Sequence, residues 1–154
     1  MNKKELYKSL HTQAGALLQP RFGWLSNAAN LSALVFGTLP DLNWAGFYVL
    51  DGDVLRLGPF QGKPACTEIP PGKGVCGTAA ANQKTLLVPE VHQFPGHIAC
   101  DSASKSEIVI PIIANGKVWG VLDIDSPILA RFDETDRVGL EALIKIFVQS
   151  SFKN

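Results

Sequence analysis

"EIVIPIIANGKVWGVLDID", residues 107–125, decides the fold. Two runs rich in Ile, Val and Leu flank Asn115-Gly116, a strong hairpin signal because both central positions of such a turn need a positive φ. Runs this apolar read as central strands of a sheet. Alternation puts Asp123 and Asp125 on one face, with Trp119 and Val121, and leaves Leu122 and Ile124 for the opposite, apolar layer. Glu107 opens the partner strand at the same end of the hairpin. An ideal two-residue turn would set it opposite Ile124, on the wrong face. One bulged residue would set it opposite Asp123 or Asp125. Pro111 has no N–H to give a ladder, so irregularity is expected, and the bulged register is the one adopted here.

Outward from this hairpin the period changes. Residues 3–18 predict a helix, with Leu6, Leu10, Leu17 and Leu18 near helical spacing, and residues 24–37 a second, stopped by Gly37 and Pro40. "NWAGFYVLDGDVLRLGPF", residues 43–60, predicts two strands joined at Asp51-Gly52. "GVCGTAAANQ", residues 74–83, predicts a short helix opened by glycines, followed by a short strand at Leu86–Val88. A last helix begins near Phe132-Asp133 and carries Val138, Leu140, Leu143, Ile144 and Phe147. The order implies an α+β fold: a central antiparallel sheet with helices mainly on one face, the other face free for a pocket. The expected layout is one domain over residues 1–154. A helical part covers about 3–39, the sheet and its loops about 43–127, and the closing helix about 133–151. Helices at both chain ends suit a homodimer.

Bulk properties narrow the partners. The chain has 154 residues, 46% hydrophobic and 18% charged, enough for a packed core. Fourteen basic residues balance fourteen acidic ones, which argues against nucleic acid or an anionic membrane. No run approaches the roughly 20 apolar residues that span a bilayer, and the charged start lacks the apolar stretch of a signal peptide. The expected compartment is the cytoplasm, where cysteines are more often catalytic, redox-active or metal-bound than structural disulfides. There are three cysteines, Cys66, Cys76 and Cys100, so one thiol stays free or they alternate.

Asp123 and Asp125 permit two readings. They cap the turn at Ser126-Pro127 from a frayed strand end, or they form a proton donor and a cation anchor in one pocket. Glu107 favours the second, because three clustered carboxylates push at least one pKa upward, as a general acid requires. Among the thiols, Cys76 opens a helix whose N–H groups favour a thiolate. Cys100 lies in a polar loop with His97 three residues before it and Asp101 after it, and Cys66 lies on an expected strand edge. All three also suit small buried core positions. No Cys-x-x-Cys knuckle or finger-like His spacing points to zinc, and no oxyanion-hole motif supports a Cys-His-Asp hydrolase. Trp44, Gly46 and Tyr48 share a strand face and are either core aromatics or the apolar wall of a ligand site.

"NWAGFYVL", "PFQGKPAC", "GKGVCGTAA", "GHIACDSASKSEIVIPI" and "GVLDIDSP" together resemble the free methionine-(R)-sulfoxide reductases, enzymes of the GAF fold, from about Leu6 to the final helix. The resemblance implies reduction of free L-methionine-(R)-sulfoxide without a cofactor, and recycling by thioredoxin. It gives Cys100 the role of nucleophile, through a sulfenic acid, Cys76 that of main resolving thiol, and Cys66 a secondary part. Glu107, Asp123 and Asp125 would bind substrate and supply the proton, Trp44 and Tyr48 would line the methyl-thio end, and backbone N–H groups around Cys100 would seat the carboxylate. The competing expectations are a ligand-binding GAF sensor module and a thiol redox sensor without turnover.

Overall fold

The computed structural model describes residues 1–98 and 100–152. Two N-terminal helices, α1 (Lys3–Leu17) and α2 (Gly23–Thr38), lead into the hairpin of β1 (Trp44–Asp51) and β2 (Val54–Gly62). Strand β3 (Glu68–Ile69), helix α3 (Gly74–Asn82), strand β4 (Leu86–Val88), the hairpin of β5 (Ser106–Ala114) and β6 (Lys117–Ser126), and helix α4 (Glu134–Ser151) follow. The sheet runs β3-β2-β1-β6-β5-β4, with antiparallel neighbours throughout. Its two middle strands are β1 and β6; β5, the other arm of the 107–125 hairpin, is interior but one place nearer the edge, beside β4.

Capping residues set the terminal helices. Asn2 accepts from the Glu5 amide at 2.9 Å while the Glu5 carboxylate caps back onto Asn2, and Asp133 with Asp136 repeats the device at α4. Helices α1, α2 and α4 cover one sheet face. Leu10, Leu31, Leu140, Leu143 and Phe147 pack there against Phe47, Ile110, Leu122 and Ile124. Of the apolar residues that α4 carries, Val138 is exposed while Leu140, Leu143, Ile144 and Phe147 are buried. Helix α3 and the loops cover the other face, over Trp44, Tyr48, Val109 and Val121.

The decisive hairpin turns at Asn115-Gly116, with φ of 53° and 76°. Ala114 pairs with Lys117 and Ile113 with Val118, and then the register shifts so that Ile112 meets Gly120 and Glu107 meets Asp125. The extra residue is Trp119 on β6, opposite the step from Ile112 to Ile113, one residue along from Pro111 on β5. It also reverses one expectation: Trp119 does not share the Val121 face. It turns to the helices, with ring centres 5.0 Å from Trp24 and 4.9 Å from Phe152. The first hairpin also differs from expectation by one residue. Asp51 pairs with Val54, so the turn is Gly52-Asp53, where Gly52 supplies the positive φ of 65°.

Candidate active site

The β1–β6–β5 face carries a cavity at its carboxylate end, and the bulge sets Glu107 on the same face as Asp123 and Asp125. Glu107, Asp123 and Asp125 line it, with Trp44, Tyr48, Cys76, Cys100, His97, Asp101 and Ser104. Seven of the eight residues expected at a site therefore converge. The eighth, Cys66, reaches it covalently, joined to Cys100 by a disulfide with Cα atoms 5.5 Å apart. It stands in the loop between β2 and β3, not on a strand edge.

The loops are fastened to the sheet by specific hydrogen bonds. The Trp44 indole N–H donates to the Lys63 carbonyl at 3.1 Å, and the Tyr48 hydroxyl donates to the Cys66 carbonyl at 2.9 Å. Both aromatics thus wall the cavity and hold the Cys66 loop. On the Cys100 side, the Asn43 amide donates to Asp101 and to Ser104 Oγ, each at 3.0 Å, while its backbone N–H donates to the Asp125 carbonyl. Sequence reasoning missed Asn43; its place directly before Trp44, at the carboxylate end of β1, was the available signal. Of the loop expected to seat a substrate carboxylate, Ala99 lies outside the described residues.

Burial governs the electrostatics. It pushes the Glu107 carboxyl well above its usual range, and the charges of Asp123 and Asp125 push the same way. Asp125 is raised by burial and then by Asp123. Burial also raises Asp123, but hydrogen bonds from Glu107, Cys76 and Asp125 oppose that rise, so Asp123 is where a negative charge is best held. Asp123 Oδ1 and Asp125 Oδ1 are buried without a partner. Such orphaned acceptors are what a ligand-binding cavity offers before its ligand arrives.

Cys76 corrects the helix-terminus argument. It does sit in the first turn of α3, but it is 4% exposed, and burial followed by the charges of Asp123, Glu107 and Asp125 pushes its thiol well up. Desolvation and three carboxylates outweigh the N–H dipoles of a nine-residue helix. Cys76 is a free thiol, and the bond present is the one expected to be secondary, between Cys100 and Cys66. His97 lines the same cavity as Cys100, and burial followed by the charge of His92 lowers its pKa, which disfavours the imidazolium form.

A six-stranded antiparallel sheet with a hollow on the face away from its terminal helices is the GAF architecture. The GAF domain family model matches residues 4–148, and the chain belongs to that family. Among its relatives is the free methionine-R-sulfoxide reductase of Escherichia coli, 48% identical over 99% of this chain and 95% of that protein. A solved free methionine-R-sulfoxide reductase from Neisseria meningitidis, in complex with its substrate, superposes with a TM-score of 0.94 at 43% identity, covering 97% of this chain and 90% of that one. A protein from Burkholderia vietnamiensis described as a GAF sensor superposes at 0.95 with 55% identity, covering 99% and 98%. Within the GAF family the chain groups with the free methionine-R-sulfoxide reductases, which are oxidoreductases.

Proposed function

We propose that the protein reduces free L-methionine-(R)-sulfoxide to L-methionine, with Cys100 as nucleophile. The observation that carries this reading is the convergence of Cys100 and the Glu107, Asp123 and Asp125 carboxyls on one cavity. The Cys100 thiolate attacks the sulfoxide sulfur while a carboxyl protonates the oxygen. The substrate sulfur gains two electrons and leaves as the thioether, and Cys100 loses two and becomes a sulfenic acid. Glu107 and Asp125, whose protons burial retains, supply the acid; Asp123, fed by three donors, is the anionic acceptor.

A second thiol then condenses with the sulfenic acid, releasing water and leaving a disulfide. The Cys66–Cys100 bond supports Cys66 in that role, and burial of Cys76 beside three carboxyls supports its staying a thiol. An external dithiol protein, thioredoxin, reopens the bond by exchange, so the chemistry needs no cofactor. Trp44 and Tyr48 give the methyl-thio end an apolar wall. A walled pocket reading both ammonium and carboxylate excludes a flanking peptide, which explains a preference for the free amino acid. The proposed setting is a cytoplasmic homodimer. No helix among the described residues is long and apolar enough to cross a membrane.

The test is a coupled assay following consumption of reduced cofactor by thioredoxin reductase and thioredoxin. Turnover is expected with free methionine-(R)-sulfoxide and not with its S epimer or a peptide-bound form, and none with Cys100→Ser. Turnover that persists in Cys100→Ser removes Cys100 as the nucleophile. Thiol oxidation by peroxide with no response to the sulfoxide would identify a sensor instead.

A further inference from the structure

Cys76 is a buried nucleophile that the proposed reaction leaves idle, and its neighbours are unusual for an idle thiol. Its Sγ, one Glu107 oxygen and one Asp123 oxygen all lie within 4.8 Å of one another. The three donors come from α3, β5 and β6, elements fixed by the sheet and the helix packed on it. Asp123 is 6% exposed and its Oδ1 has no hydrogen-bond partner, and Asp125 Oδ1 beside it is equally orphaned. Among the described residues no Lys or Arg pairs with any of these carboxylates. The floor of the cavity is therefore a preformed donor set with no cation of its own.

Donor chemistry selects the ion. Mg²⁺ and Ca²⁺ take six or more oxygens and do not seek a thiolate. A thiolate with two carboxylate oxygens and an open fourth position suits a borderline-soft, tetrahedral cation. We propose that the cavity floor binds one Zn²⁺, or its softer analogue Cd²⁺, through Cys76 Sγ, Glu107 and Asp123, with Asp125 or water completing the shell. The metal displaces the protons of Cys76 and Glu107 into solvent, so its affinity rises with pH. The ligands do not include Cys66 or Cys100, so the site exists in the disulfide form as well as the reduced one. If the carboxyls also bind the sulfoxide, metal and substrate exclude each other; that clause alone rests on the reductase reading.

The sequence holds three cysteines, so with Cys66 and Cys100 joined, Cys76 is the one thiol left to a metal. The experiment is therefore a titration of the full-length disulfide form with Cd²⁺, read by equilibrium dialysis and by thiolate-to-cadmium charge-transfer absorption. One ion per chain with the absorption is expected, both lost in Cys76→Ser. Glu107→Gln should weaken binding while keeping the band, which covers the case of a Cys76→Ser protein that fails to fold. A reduced Cys66→Ser/Cys100→Ser double variant should bind as the disulfide form does. No charge-transfer band in the disulfide form, or a band that survives Cys76→Ser, overturns the proposal. Neither outcome touches the coupled assay, which reads Cys100.

Discussion

Glu107 faces Asp125 across the ladder with Asp123 diagonal to it, and this spacing makes the cavity an acid store. A carboxyl whose folded pKa is raised keeps its proton in the native state after the unfolded chain has lost it. Native stability therefore falls as pH rises from the unfolded value towards the folded one. Asp125→Asn removes one such penalty. Its melting temperature is expected to exceed wild type at about pH 8 by several degrees, a shift on the scale of about 1–2 kcal/mol, and by less at about pH 5. A thermal melt at both pH values checks it. The same raised proton affinity gives the proposed acid its working range. Turnover should hold while Glu107 is protonated and fall as pH passes its raised pKa. Glu107→Gln should cost about 10²–10⁴-fold and flatten that alkaline limb in a kcat/KM profile. The chemical types at these positions were legible in the sequence; the charge state of each was not, because burial sets it.

One inserted residue in β6 does the work at the scale of elements. Without the Trp119 bulge, Glu107 would stand opposite Ile124 and point into the helix layer, so the site and the register are one fact. The sequence foretold the need for a bulge through the mismatch of carboxylate faces. It did not reveal the bulge's position, because Trp119 moves there for packing against Trp24, Phe147 and Phe152, residues distant in sequence. Gly120 marks the constraint from the other side. A Cβ there would collide with the Tyr48 carbonyl oxygen and lie 3.1 Å from Val49 Cα, prising β6 from β1. Gly120→Ala is expected to destabilise by about 1–3 kcal/mol. Because β1 and β6 carry Tyr48 and Asp123, it should also lower turnover in the folded fraction; denaturant melts beside a kinetic assay separate the two effects.

At the scale of the whole molecule the sheet divides stability from chemistry. On the helix side, fully buried Asp136 accepts from the Tyr7 hydroxyl at 2.8 Å and from Lys3 at 2.5 Å, with Arg131 at 3.5 Å, tying α1 to α4. Asp136→Ala strands those donors and should cost about 3–5 kcal/mol, a fall in melting temperature on the order of 10 °C, while leaving turnover below the transition unchanged. On the cavity side, a disulfide takes up the Cys100 sulfur that lines the hollow and joins two loops. The antiparallel sheet, its helical face and the converging residues were all readable from patterning and motif. The thiol pairing was not, since a bond between loops 34 residues apart depends on how Trp44 and Tyr48 hold one of them. The most direct test of the account is to treat reduced Cys66→Ser protein with free methionine-(R)-sulfoxide, trap sulfenic acid with dimedone and map it by mass spectrometry. The account predicts a substrate-dependent adduct on Cys100. An adduct on Cys76, or one formed equally without the sulfoxide, contradicts it.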